Sequence, residues 1–115
     1  MQPYFLPYIG YWQLINDVDA FVVYDNIKYT KKGWINRNRF LLDGKDCVFS
    51  LPLRRDSDFL DINKRFIADS YDGAELLNRF REAYRRAPHF DSTVPLLELI
   101  LLSKERNLYT YIQRS

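Results

Sequence analysis

One domain is the most that 115 residues allow, and a 47% hydrophobic content is enough to give it a core. With 28% charged and 17% aromatic residues, disordered, collagenous and coiled-coil chains are excluded. The net charge of +2 excludes a dedicated duplex-binding protein, and the single cysteine, Cys47, excludes an intrachain disulfide or a cysteine-based zinc site.

In chain order, Met1 to Gly10 carries Pro3, Pro7 and Gly10 and reads as an ordered loop. Tyr11, Leu14, Ile15 and Val18 recur at the helical period, which predicts a short helix over 11–18 with Gly10 at its start. Ala20 to Tyr24 is a compact β-branched and aromatic run that predicts a buried strand, suited to a parallel sheet. A polar, aromatic segment follows from Asp25 to Asn38. Two strand-like runs, 39–42 and 47–53, flank Asp43-Gly44-Lys45-Asp46, a hairpin signal. Residues 62–68 predict another strand.

Further on, 72–86 predicts a helix with Asp72 as its N-cap and an apolar stripe of Leu76, Leu77, Phe80, Ala83 and Tyr84. A second helix is predicted from Ser92, with Pro95 in its first turn and its end near Asn107. Tyr109 to Ile112 opens a further helix. No apolar run approaches the about 18 residues of a membrane span, and no basic n-region or h-region marks a signal peptide. The expected chain is cytoplasmic, a single domain over 1–115, of α/β class with a mixed sheet, a β-hairpin and packed helices. Its abrupt ends suggest a piece of something longer.

Two clusters carry chemistry. In the first, Gln2, Tyr4, Tyr8, Gly10 and Tyr11 surround a path stiffened by Pro3 and Pro7. Read on residue types alone it is foremost a proline-rich lead-in whose rings pack. The other reading is a ligand path running to the first N–H groups of a helix, which bind anions. The second cluster is Asp25, Lys28, Trp34, Asn36, Arg37, Asn38 and Arg39. Extended backbone puts Arg37 and Arg39 on one side and Asn36 and Asn38 on the other. Paired guanidiniums suit phosphate or carboxylate, and Asp25 follows the predicted strand, where α/β sheets bind ligands. The alternative is a charged edge strand that resists pairing. His89 and Cys47 read as packing residues. No metal cluster, phosphate loop or nucleophile elbow is present, so neither a metal nor a cofactor is expected.

Taken together, Gln2-Pro3-Tyr4-Phe5-Leu6-Pro7-Tyr8-Ile9-Gly10-Tyr11, Asp19 to Asp25 (Asp-Ala-Phe-Val-Val-Tyr-Asp) and Trp34-Ile35-Asn36-Arg37-Asn38-Arg39 resemble the WbqC-like family. Its hallmark segments are QPxYLPWxGY, DxFVxxDxVQY and WxNRNRI. Residues 84–90 are similar to its later Y-x-K-A-P-Y-F. Tyr8, Lys28 and His89 depart from the family's usual Trp, Gln and Tyr, and the resemblance covers the family's amino-terminal half.

The resemblance implies a bacterial cytoplasmic protein of O-antigen, lipopolysaccharide and other surface-polysaccharide biosynthesis. It implies an acyl or aminoacyl (glycyl) transferase acting on a nucleotide-linked sugar. A strand, a Pro-bearing loop and a Gly-aromatic helix start also resemble the HxGH arrangement of nucleotidylyltransferases, a Rossmann-like domain that would here be incomplete. Pro7 and Tyr11 stand where its histidines would. On the transferase reading Asp25 is the general base, Gln2, Tyr4, Tyr8, Gly10 and Tyr11 line the pocket, Asn36, Arg37, Asn38 and Arg39 position phosphate or carboxylate, and Lys28 and Trp34 also bind substrate. The alternatives are a non-catalytic sugar or nucleotide-sugar binding module, a nucleotidylyltransferase-like ligase, or a single-stranded nucleic acid binder. The ligand is then a small phosphate-bearing molecule rather than duplex nucleic acid, and exposed rings would favour a homo-oligomer.

Overall fold

A computed structural model describes residues 1–115. Its elements run α1 (Ile9–Asp17), β1 (Arg37–Leu42), β2 (Lys45–Ser50), a 3-10 turn (Ile62–Lys64), α2 (Gly73–Tyr84), α3 (Phe90–Leu101) and α4 (Leu108–Gln113). This is a mixed α/β architecture with one two-stranded antiparallel sheet and four helices. No helix is long and apolar enough to cross a membrane.

The hairpin forms around a two-residue turn, with Leu42 opposite Lys45. Asp43 and Gly44 both have positive φ, 51° and 74°, the geometry of the turn that matches strand twist. Gly44 takes that backbone without strain. The second strand accordingly begins at Lys45, two residues earlier than the apolar run, and ends at Ser50.

Two predicted strands are corrected. Residues 20–24 form no strand, and Val22 is 69% exposed. The segment's backbone hydrogen bonds run to the single residue Met1, so no ladder forms. The Met1 amino group donates to the Val22 carbonyl, and the Tyr24 N–H donates to the Met1 carbonyl, each at 2.9 Å. Residues 62–68 instead make the 3-10 turn and then two isolated bridges, Leu53 with Ile67 and Phe66 with Asn107. Each bridge ties a different segment, so no ladder propagates.

The helices follow their patterns more closely. The Asp72 carboxylate accepts from the Ala74 and Glu75 N–H groups and caps α2. Helix α3 begins at Phe90, two residues before Ser92, and holds Pro95 in its first turns. Asn107 does not end α3; it caps α4, its side chain accepting from the Thr110 N–H.

Phe5, Phe40, Phe49 and Phe80 form the aromatic centre of the core, between the hairpin and α2. Leu76, Leu77, Ile100, Leu101, Leu108 and Tyr111 close it from the helices. Burying each such side chain stabilises the fold by about 1.5–3 kcal/mol. The hydroxyls of Tyr71 and Tyr111 share a buried 2.8 Å hydrogen bond, and Tyr111 also donates to the Leu101 carbonyl at 3.2 Å. Helices α2 and α3 meet so closely at Gly73 that a methyl group there would overlap the Leu101 carbonyl.

This close approach reverses a helix-propensity rule. Gly73→Ala should gain about 1 kcal/mol in an isolated helix. Here it is expected to destabilise more than Asp72→Ala, whose lost cap costs about 1 kcal/mol. Urea unfolding of both variants checks this, and a stabilised Gly73→Ala protein would refute the tight helix contact.

Burial raises the hydroxyl pKa of Tyr71 and Tyr111 above the ordinary 10.0. The unfolded chain ionises near pH 10 while the folded chain keeps both groups neutral. Their contribution is therefore complete below about pH 10 and is lost as pH rises beyond it. Unfolding midpoints measured between about pH 9 and pH 11 should fall, and fall less in Tyr111→Phe.

Candidate functional site

The amino-terminal loop is held from two sides. Phe5 is fully buried, and its N–H donates to the Ile35 carbonyl at 2.9 Å. The Asn38 side-chain amide donates to the Leu6 carbonyl at 2.6 Å and the Phe5 carbonyl at 3.4 Å. Leu6 sits at φ 48°, a left-handed conformation that a leucine adopts only when its surroundings impose it.

A cleft of about 530 Å³ lies between this loop, α1 and the start of β1. Gln2, Tyr4, Tyr8, Gly10, Tyr11, Trp34, Arg37, Asn38 and Arg39 all line it. The Tyr4 and Tyr11 rings meet edge to face with centroids 5.7 Å apart. Tyr11 is buried, and its hydroxyl donates to the Gln2 carbonyl at 3.0 Å. Burial first, then the nearby Tyr4 and Tyr109 hydroxyls, raise the Tyr11 pKa, so it stays a neutral donor. Tyr8 lies against Gly10 and stands at the N-cap of α1 without a side-chain cap bond, 73% exposed.

Trp34 is the platform of the opposite wall. The guanidinium carbons of Arg37 and Arg39 lie 4.9 and 4.8 Å from its ring centroid. Stacked guanidiniums keep their edges free for an anion. One Arg37 nitrogen donates to the Lys32 carbonyl at 2.6 Å, while its Nε is enclosed with no partner. Arg39 also pairs with Asp46 across the hairpin at 3.0 Å, where exposure makes the ion pair weak.

Three expected residues lie elsewhere. Asn36 is buried: it accepts from the Tyr29 hydroxyl at 2.9 Å and donates to the Leu51 carbonyl at 2.8 Å, binding loop to hairpin. Lys28 lies 5.3 Å from the Phe59 ring and pairs by backbone with Asp61. Asp25 is exposed outside the cleft, and its charge raises the Tyr109 pKa after burial does. The cleft also takes in Met1, Pro7, Leu14 and Gly33, which side-chain chemistry gave no reason to select.

Asn38 supports the geometry of this wall. Asn38→Ala leaves two loop carbonyls without a donor and is expected to cost about 1–3 kcal/mol. Asn38→Asp, which cannot donate, should lose as much. An unchanged unfolding midpoint in both would remove Asn38 from this role.

No solved structure matches the chain. A protein of Mycobacterium tuberculosis, the uncharacterized protein Rv1507c, is 30% identical over 115 residues, covering 99% of this chain and 50% of that protein. The chain therefore spans about half the length of this curated relative. Residues 2–115 match the WbqC-like protein family, a match that takes in the loop, Trp34 and both arginines. The chain belongs to the WbqC-like protein family.

Proposed function

We propose that the cleft binds a phosphate-bearing sugar, with a nucleotide-linked sugar as the ligand class. The observation that carries this reading is the pair of guanidiniums stacked on Trp34 at the edge of an aromatic cleft. Arg37 and Arg39, each already holding one partner, offer their remaining N–H groups to phosphate oxygens, and Tyr4, Tyr8 and Tyr11 offer ring faces to a sugar. The first turn of α1, whose N-cap lacks a side-chain acceptor, adds N–H groups toward negative charge.

Family membership supports placing this binding in bacterial, cytoplasmic synthesis of surface polysaccharide, including O-antigen. There the sugar would accept a small acyl or aminoacyl group such as glycyl. The cleft lining contains no carboxylate, imidazole or thiol. That lining favours a division of labour in which these residues bind and orient. The proton is then taken by a base from outside the cleft, Asp25 or a residue of the longer family members. It also favours, as a second reading, a non-catalytic nucleotide-sugar binding module.

Although no ladder extends from it, the parallel exchange of hydrogen bonds between Met1 and Val22 to Tyr24 favours reading this corner as the edge of a Rossmann-like architecture. Residues 1–115 then act as one domain of that architecture. The exposed Ile9, Trp12 and Leu14 of α1 support self-association.

Titration calorimetry with nucleotide-sugars tests the binding. Trp34→Ala and Arg37→Ala are each expected to weaken it about tenfold or more, with melting temperatures close to the parent's. Unchanged affinity in both variants, or equal loss of folding, would reassign Trp34 and Arg37 to structure. Mass spectrometry of a nucleotide-sugar mixed with acyl donors then separates turnover from binding alone. Asp25→Ala stops turnover and leaves that binding intact if Asp25 is the base; unchanged turnover assigns the base to another residue.

A further inference from the structure

A second cleft, of about 590 Å³, shares no lining residue with the first. Four cations line it, Lys31, Arg54, Arg55 and Arg65, against two carboxylates, Asp56 and Asp58. Arg65 differs from the rest of this cluster because it is only 3% exposed. Its Nε and Nη2 are enclosed and have no hydrogen-bond acceptor. The Tyr29 ring centroid lies 5.0 Å from its guanidinium carbon, and the nearest carboxylate, Asp58, is 4.0 Å from Nη2.

Asp58 is already engaged. It pairs with Lys31 at 2.7 Å, and that hydrogen bond and charge hold its carboxyl below the usual carboxylate range. Arg54 reaches out of the cleft to Asp69 at 3.3 Å. Arg55 takes part in none of the ion pairs. Asp58 is shared between Lys31 and the more distant Arg65, so Arg55 and Arg65 face the cleft against Asp56 and an Asp58 that Lys31 already largely neutralises.

A guanidinium removed from water without acceptors is costly, and buried unsatisfied groups in folded proteins call for a partner that is an ion, a water or a ligand. The Arg65 backbone is fixed in place: its N–H donates to the Ile62 carbonyl at 3.3 Å, and its carbonyl accepts from the Leu108 N–H at 2.9 Å. The Arg54 N–H donates to the Phe66 carbonyl at 2.9 Å, so the neighbouring segment is tied to the same frame. The buried cation is thus held in position before any ligand arrives, which lowers the ordering cost of binding.

We propose that this cleft is an anion site for a phosphate group, with Arg65 as its buried anchor and Arg55 as its exposed clamp. Two uncommitted guanidiniums match the several oxygens and double charge of phosphate better than the single charge of a carboxylate. The phosphate is either free inorganic phosphate or the phosphate of a small metabolite.

Calorimetric titration with inorganic phosphate and, separately, glucose 1-phosphate tests the site in the parent protein and three variants. Arg65→Met and Arg55→Ala are each expected to weaken phosphate binding about tenfold or more, whereas Arg37→Ala, in the aromatic cleft, leaves a saturable site. Arg65→Met should also melt at or above the parent temperature without phosphate and lose the rise in melting temperature that phosphate gives the parent. If Arg65→Met does not fold, Arg55→Ala decides, because its side chain is exposed. Tighter binding of glucose 1-phosphate supports the site and points to a carried phosphate; equal or weaker binding supports it and points to the free ion. The proposal is overturned if the parent shows no saturable binding. It is equally overturned if Arg65→Met and Arg55→Ala bind as the parent does, or if Arg37→Ala alone removes all binding.

Discussion

The Asn38 amide, donating to the Phe5 and Leu6 carbonyls, joins the two segments across 33 and 32 positions of chain. Through it, β1 dictates the path of the amino-terminal loop. The loop in turn drives Phe5 into the core, against Phe49 at 5.8 Å and Tyr111 at 5.9 Å between ring centroids. Emptying a site of that kind costs about 3–5 kcal/mol, far more than the strain of about 1–2 kcal/mol in a left-handed Leu6. The strained turn is therefore stable because the ring it delivers is worth more than the conformation costs. With Phe5 inward, Gln2, Tyr4 and Tyr8 line the cleft that Trp34 also lines.

That arrangement divides the aromatic residues by task. Phe40, Phe49 and Phe80 are buried and act through area and ring-on-ring packing. Tyr4, Tyr8, Tyr11 and Trp34 keep a face or a hydroxyl toward the cleft. The difference follows from the elements that carry them. The proline-stiffened loop sends Phe5 into the core and leaves Tyr4 and Tyr8 along the cleft, while Tyr11 reaches the same cleft from α1. The neighbouring amides divide similarly: Asn36 and Asn38 satisfy backbone carbonyls, and Arg37 and Arg39, on the other face of the same extended stretch, meet the ring of Trp34.

Local patterns were legible where a single element satisfies itself. The apolar period of 76–84 needs only one helix with one buried face, and Asp72 caps it through its own next residues. Asp43-Gly44 makes its turn by backbone conformation alone. The runs 20–24 and 62–68 were misleading because a strand is a property of a pair. Hydrophobic β-branched residues state a preference for extended backbone, and neither run finds a ladder to complete it. Asn107 misled in a related way, since an amide that ends one helix and an amide that caps the next look alike in sequence.

The site was half legible for the same reason. The residue types around Trp34 and the prolines at 3 and 7 are written in the chain, and their alternation already separates arginines from asparagines. Which of them share a cleft is a matter of distance, and Asp25 and Lys28 are carried away from it by the segment that runs toward Asp61 and Asn63. Nor does sequence distinguish Arg65 from Arg54 and Arg55, three basic residues in polar surroundings. Tertiary packing, with the Tyr29 ring against its guanidinium, buries Arg65 and leaves it without acceptors. The sequence by itself determined the helices, the hairpin turn and the chemistry available, because these are set by neighbours along the chain. The tertiary structure decided which charges are buried and which rings face one another, because burial and proximity arise only when distant segments pack.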